Sequence, residues 1–479
     1  MFIKSNKRVG WIFSNPLIFF LVYLTIHFLL RIFISETLQV DDREQILYAQ
    51  TLEAGYLMPQ PPMYSWLSWL FFKLFGSNLF ALSLLKYILI YATFYFIVEI
   101  AKNFFSNSNI QKLVIYSFLL MPSFFWHMHQ GFTHTILLGL GIVTSFYFFL
   151  LLTHDQSSKN FFLFGISVAT GLLAKYSYIL FLMTLLLSAL TIKNYRDIIL
   201  NKKFLISLSI ILIIILPHVI WLISNYSEIF IQAQTRLAIS DKNTNFLISS
   251  INFFGSFIGF ISPLIFFMLY LIIKNQPLIK MNSSRIEHIL TRNFYSLILL
   301  FSLIFLIFFE MENLKVRWLH PLMMLFPFFF FMFFDNKKTI SKKFTNFYFG
   351  TVLFFVIFVI FVRVSQVTIF PLIGKNGRIN MPITETILKI PEYIIKDSVI
   401  KIEDYDILAH SMDVFRKNKI IYNGKIFNDL NQNDQHCLIL DSKSIQNFNS
   451  YESHGSISSN NEGSIYKIYF AKTNDKKCD

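Results

Sequence analysis

Trp11-Ile-Phe-Ser-Asn-Pro-Leu-Ile-Phe-Phe-Leu-Val-Tyr-Leu-Thr-Ile-His-Phe-Leu-Leu-Arg-Ile-Phe-Ile34 is an apolar run of bilayer length, entered from Lys4, Lys7 and Arg8. It is too long for the apolar core of a signal peptide and has no small-residue cleavage site. It therefore predicts a retained transmembrane helix with its N-terminus in the cytoplasm. Similar runs recur to residue 365, near 79–101, 112–127, 135–153, 161–173, 176–192, 204–223, 246–273, 294–309, 317–334 and 345–365, which predicts about eleven spans. Composition agrees: 54% of the 479 residues are hydrophobic, 58 are Phe and only 15% are charged. A soluble globule is excluded, and the chain reads as an all-α polytopic membrane protein.

The net charge of +14 does not point to nucleic acid. Residues 1–365 hold 28 Lys and Arg against 14 Asp and Glu, whereas residues 366–479 hold 14 of each, so the whole excess belongs to the membrane region. With the N-terminus inside, the cytoplasmic segments collect eighteen basic residues, from Lys4 to Lys343. The outward loops hold seven: Arg43, Lys73, Lys175, Arg236, Lys242, Lys315 and Arg317. That asymmetry predicts an outward-facing C-terminus. The assignment is most sensitive around Lys175, where 161–192 also reads as one long, tilted helix.

After residue 365 the composition turns to Asn, Lys, Asp and Ser. Residues 366–479 are expected to form a small soluble α/β domain outside the 1–365 membrane domain, with strands at 436–441 and 464–470 and helical patches within 383–419. Cys437 and Cys478 both lie in this tail, and two cysteines alone are a weak signal for a disulfide.

Chemistry in such a chain is expected where charge is retained at the membrane boundary. The loop from about 35 to 78 is far longer than a turn between spans requires. Its Asp41-Asp42-Arg43-Glu44 segment opens a helical stretch to Glu53, with the acids at the end that the helix dipole favours. Pro61-Pro62 then starts a second amphipathic helix, Met63 to Phe75, whose Trp66, Trp69, Phe71 and Phe72 suit the membrane interface. By periodicity alone this is an acidic helix start followed by an interfacial anchor. Lys175, Arg236, Lys315 and Arg317 form a second group, suited either to binding an anion or to snorkelling among lipid head groups, the reading favoured for Lys242 and Lys315. Trp126-His127-Met-His129-Gln130 with His134 invites a metal reading. On a helix, however, His127 and His129 point about 200° apart and cannot share an ion, so histidines lining a cavity are the expectation.

Asp41-Asp42, followed by Gly55-Tyr56 and Pro61-Pro62-Met-Tyr-Ser-Trp66-Leu67, resembles the GT-C membrane glycosyltransferases of the protein O-mannosyltransferase and lipid A aminoarabinose transferase group. In that group the loop usually reads Asp-Glu, then Gly-Tyr-x-x-x-x-Pro-Pro-Leu-x-x-Trp-Leu. The likeness extends more loosely to Gly171-Leu-Leu-Ala-Lys-Tyr176, Pro217-His-Val-Ile-Trp221 and Arg317-Trp-Leu-His-Pro321, over roughly residues 10 to 330. The chain departs at Gln60, where relatives often carry Lys or His, at Asp42, where Glu is commoner, and at His134, where many relatives carry Asp.

The resemblance implies a GT-C core of about eleven transmembrane helices, with interfacial helices in the first outward loop. It implies an inverting transfer of sugar from a polyprenyl-phosphate donor to an envelope lipid, glycan or protein on the periplasmic face of a bacterial inner membrane. Asp41 and Asp42 are the expected catalytic pair, with Asp41 as base. Lys175, Arg317 and Arg236 are expected at the donor phosphate, and Glu44, Gln60, Tyr56, His129, His134 and His320 in the substrate cavity. No cofactor, metal or nucleic acid is expected. A lipid-linked oligosaccharide flippase or polymerase, or another transporter, remains the alternative, although none accounts for the long acidic loop.

Overall fold

In the computed structural model, residues 14–58, 60–237, 246–275, 285–308, 316–335, 340–396, 398–415, 418–422, 425–427, 436–443, 453–461, 464–473 and 478 are described. Lys242 and Lys315 lie outside them, as do the side chains of Arg236 and Arg317. The fold is predominantly helical with one small sheet. By its contacts the chain divides into two units, one of Met1–Ile26, Glu53–Trp66 and Lys86–Val359, the other of His27–Leu52, Leu67–Leu85 and Ile360–Asp479.

Among the described residues, five helices are long and apolar enough to cross a membrane: Pro16–Ile34, Leu79–Phe104, His134–Leu151, Phe204–Ser224 and Lys342–Thr368. Counting each of two bent helix pairs as one span brings the number to seven, with Ser158–Ala174 and His320–Phe334 as shorter apolar segments. The chain is a multi-pass membrane protein. Eleven spans are not reached by length and composition, because several apolar runs are broken helices. The run near 112–127 is a helix, Ser108–Ser117, followed by short turns on either side of Pro122. That near 246–273 breaks between Ile261 and Leu264, at Ser262-Pro263, and that near 317–334 is broken around Pro321 and Pro327. Proline has no N–H to donate, so each run keeps its hydropathy and loses its helical continuity. Around Lys175 there are two helices, Ser158–Ala174 and Tyr178–Leu190, with Lys175 itself extended (φ −160°, ψ 134°).

Within the first unit small residues allow close crossings. A Cβ on Gly141 would stand 2.6 Å from the Gly171 Cα, so helices His134–Leu151 and Ser158–Ala174 meet backbone to backbone. The Tyr178 and Ser145 hydroxyls, 2.6 Å apart, tie the next helix to the same crossing. Aromatic pairs such as Phe20 and Phe94, stacked at 3.8 Å, fill wider gaps. The Phe204–Ser224 helix, with mean hydropathy 2.7 and little of its surface buried by protein, has the character of a lipid-facing span.

The second unit holds the sheet. Strands β1 (Ser398–Ile402), β2 (Ile420–Tyr422), β3 (Lys425–Phe427), β4 (His436–Asp441), β5 (Ser453–Asn461) and β6 (Ser464–Thr473) lie in the order β3-β2-β1-β4-β6-β5. β1 is parallel to β2 and β4, and the other pairs are antiparallel. Helix Tyr405–Val414 links β1 to β2, as parallel neighbours require. Cys437 on β4 is disulfide-bonded to Cys478, 41 residues on. The small α/β domain expected in the tail is present, and its core does not stop at the tail. Ile383, Ile400, Leu408, Met412 and Leu438 share one buried cluster with Leu38, Ile46 and Leu47 from the first loop. The tail is thus the floor on which the acidic helix rests.

Candidate active site

The acidic stretch folds as a short helix, Val40–Tyr48, with Gln39 and Asp42 forming a reciprocal capping box at its start. The two acids part company there. Asp42 is buried, and its Oδ2 lies 3.3 Å from Arg31 Nη2 in an ion pair whose side chains are 2% and 3% exposed. Arg31 also donates to the Ser35 and Thr37 carbonyls, each at 2.9 Å, which directs its guanidinium at the helix start. Asp42 additionally accepts from the Gln39 N–H at 3.3 Å. Asp41 is only half-buried. Asp42 is committed to a guanidinium and a helix cap, whereas Asp41 keeps some access to solvent.

Arg43, on the same helix, extends to the tail. It pairs with Asp406 at 2.5 Å and lies 5.2 Å from the centre of the Tyr405 ring. Arg378 pairs with the same carboxylate and donates from Nε to the Leu38 carbonyl at 2.9 Å. Burial alone would raise the Asp406 pKa, but the two guanidiniums outweigh it and hold the group below the ordinary carboxylate range. Glu44 is half-exposed on this helix and adds negative potential at Tyr405.

In the first unit three of the segments singled out in the sequence converge. His218 Nδ1 donates to the Ala54 carbonyl at 3.0 Å, and its Nε2 lies 3.2 Å from the Tyr176 hydroxyl. A carbonyl only accepts, so Nδ1 carries the proton and Nε2 receives the phenol. Trp221 stacks on His218 at 5.8 Å and fills the space beside Gly55, where any Cβ would fall 2.2 Å from the indole. Gly55 is therefore fixed by close approach. Tyr56 beside it is buried, its phenol pushed up to about 12 chiefly by burial, while Gln60 is half-exposed. Met63–Phe75 is a helix as predicted, tied to the loop by Trp66 Nε1 donating to the Glu53 carbonyl at 2.7 Å.

The cations and histidines meet on the segment 127–135. Lys175 Nζ donates to Thr135 Oγ1 at 3.1 Å, and Lys86 Nζ donates to the Gln130 carbonyl at 2.6 Å. His129 is buried between the hydroxyls of Tyr23, at 2.6 Å, and Tyr87, at 3.4 Å. His127 stacks instead on Phe132, so the two histidines serve different neighbours. His134 is buried with its ring 5.6 Å from that of Tyr64. His320 packs on Phe260 and, with Thr93, Ser123 and Thr135, contributes the polar lining of an otherwise apolar cavity of about 30 Å³. Arg317 lies in the short turn Val316–Leu319 that leads to His320. Arg236 lies on the Tyr226–Leu237 helix.

Arg31, Lys86, Arg378 and Asp406 were not among the residues picked from sequence. Arg31 and Lys86 had a usable signal, since each is a charge inside an apolar run.

Three comparisons bear on this arrangement. Residues 59–221 match the family model described as dolichyl-phosphate-mannose-protein mannosyltransferase. Two relatives are lipopolysaccharide core galacturonosyltransferases of Rhizobium johnstonii. RgtB is 29% identical over 46% of this chain and 44% of its own length, and RgtA 27% over 42% and 40%. The chain thus spans less than half the length of the curated relatives it matches. The solved structure of ArnT from Cupriavidus metallidurans bound to undecaprenyl phosphate superposes with a TM-score of 0.59 at 11% identity, covering 98% of this chain and 99% of that one, and its apo form gives the same score. The fold is therefore that of a known membrane glycosyltransferase over essentially the whole chain.

Proposed function

We propose that the chain is an inverting glycosyltransferase that moves a sugar from a polyprenyl-phosphate donor to a cell-envelope acceptor, with lipopolysaccharide core the first candidate. The convergence of Ala54-Gly55, Tyr176 and His218-Trp221 carries the reading. Three segments far apart in sequence, each marked by its likeness to these enzymes, form one hydrogen-bonded cluster. A galacturonosyl donor is the natural first choice because the two curated relatives are named for that sugar.

In this mechanism the acceptor hydroxyl attacks the anomeric carbon on the face opposite the phosphate. The new C–O bond forms as the bond to the phosphate oxygen breaks, and the departing electron pair goes to the phosphate. Asp41 takes the hydroxyl proton, or orients the acceptor where that group is itself a phosphate. Lys175 and Arg317, with Arg236, offset charge on the leaving group. Lys86 joins them in this proposal. It is 2% exposed inside the Leu79–Phe104 span, and Ile90 and Thr93, one and two turns further along the same face, line the cavity that also contains Thr135. A cation at that depth suits an anionic ligand. Glu44, Gln60, Tyr56, His129, His134 and His320 are the proposed substrate contacts.

About eleven spans, a cytoplasmic N-terminus and a periplasmic tail in the bacterial inner membrane complete the reading. The basic-residue asymmetry supports that orientation, and so does the Cys437–Cys478 disulfide, which suits an oxidising compartment. The test is transfer in proteoliposomes from a panel of radiolabelled polyprenyl-phosphate sugars, galacturonic acid first, to lipid A–core. A covalently labelled acceptor is expected. Movement of the lipid-linked sugar across the bilayer with no labelled acceptor would replace the enzyme with a flippase.

A further inference from the structure

The segment that carries Asp41 is held from the tail at several points. The Leu38 N–H donates to His410 Nε2 at 3.1 Å, and the Leu38 carbonyl accepts from Arg378 Nε at 2.9 Å. Arg43, two residues beyond Asp41, pairs with Asp406. Upstream, the Thr37 hydroxyl donates to the Met381 carbonyl at 2.7 Å and the Ser35 hydroxyl to the Ile379 carbonyl at 2.6 Å. Beneath these contacts Leu38, Ile46 and Leu47 are buried in the core of the tail domain.

The tail side of the clamp is itself anchored. Asp404 caps helix Tyr405–Val414 by accepting from the Asp406 and Ile407 N–H groups, and it accepts from the Ser442 hydroxyl at 2.6 Å just beyond β4. Asp406 therefore stands at a fixed N-terminus. His410, one turn on, donates from Nδ1 to the Asp406 carbonyl at 2.7 Å, which leaves Nε2 as the acceptor for Leu38. A line of polar contacts thus runs from the sheet through Asp404 and Asp406 to Arg43, with Leu38 held on the other flank of Asp41.

We propose that the tail domain is a working part of the transferase, in which Asp406, shared by Arg43 and Arg378, is a positioning residue that sets the location of the acidic helix and so of the Asp41 carboxylate. The inference rests on Asp41 as the base. A general base must be held within a fraction of an ångström of its working position. Without the Asp406 charge, two guanidiniums are left facing one another, and Arg43 loses its ion pair with the tail.

The experiment uses the full-length protein with whichever donor of the panel gives turnover. Asp406→Asn is expected to lower kcat by about 10- to 100-fold with the donor KM within twofold of wild type, and to raise amide exchange across residues 38–48. Asp406→Glu, which keeps the charge, is expected to recover at least a third of the rate. A fall in KM alone, an unchanged kcat, or unchanged exchange in a folded Asp406→Asn protein would overturn the clamp. A third variant separates the two ideas. If Asp41→Asn keeps its rate, the base assignment fails and this inference with it. If Asp41→Asn is dead while Asp406→Asn turns over normally, the base stands and only the clamp falls. Should Asp406→Asn not fold, Arg378→Lys, which keeps one cation beside Asp406 but loses the fork that also reaches Leu38, gives the same readout, and normal kcat and exchange there would overturn the proposal.

Discussion

The acidic helix and the segment 127–135 are built on opposite terms. Around the helix, charge meets charge: Arg31 with Asp42, and Arg43 and Arg378 with Asp406. Around the other segment, Lys86 donates to the Gln130 carbonyl, Lys175 donates to the Thr135 hydroxyl, and the Tyr23 hydroxyl lies 2.6 Å from the His129 ring. Ion pairs that are buried and hydrogen-bonded lock geometry, because separating them leaves a bare charge in a poor solvent. A lysine that donates to a neutral oxygen can also donate to an anion, and that bond is the stronger one. The first region is suited to hold a group still, the second to receive a charged ligand.

The largest effect expected from breaking this contrast is at Arg31. Arg31→Met strands the buried Asp42 carboxylate and should lower stability by about 3 to 5 kcal/mol, read as a thermal melt in detergent. A variant melting with wild type would mean that the pair does not lock the helix. Next in size, Lys175→Gln or Lys86→Gln keeps a hydrogen-bond donor and removes the positive charge. Each should lose about 1.5 to 3 kcal/mol of donor binding, a rise in donor KM of roughly 10- to 150-fold, with little change in melting. Equal losses of stability and donor use would erase the distinction between the regions.

A third expected effect is one of pH. Burial pushes His410 down to about 4, against the Asp406 carbonyl that favours its charged form, so the folded protein holds it neutral where the unfolded chain would protonate near 6.5. Protons then bind preferentially to the unfolded chain. Stability should fall as pH drops from about 6.5 toward 4, by up to about 1.4 kcal/mol per pH unit. His410→Gln, whose amide oxygen accepts from Leu38 without titrating, should flatten that slope. A wild-type melting temperature independent of pH over this interval would count against a buried neutral His410.

Local chemistry made part of this visible in the sequence. Pro61-Pro62 marks the start of Met63–Phe75 because proline suits a first helical turn, and a short apolar run marks β4 at its observed bounds. The apolar runs did not reveal their own breaks, because hydropathy is the same for a continuous helix and for one interrupted at Pro122 or Pro327. At the site, Asp41 and Asp42 look equivalent in sequence. Arg31, eleven residues before Asp42, turns back onto that second acid. The Asp406 clamp was out of reach altogether, since Arg43 and Asp406 lie 363 residues apart and no local pattern joins them.

The division of labour between the two acids is the claim most open to direct test, by measuring turnover and melting side by side in purified Asp41→Asn and Asp42→Asn. Asp41→Asn should melt with wild type and lose about 10² to 10⁴-fold in turnover, the range of a missing general base. Asp42→Asn should melt lower, because Arg31 loses its counter-charge, and should lose less turnover at temperatures where it remains folded. A folded Asp41→Asn enzyme near wild-type rate, or a larger loss of turnover in a fully folded Asp42→Asn, would contradict the account.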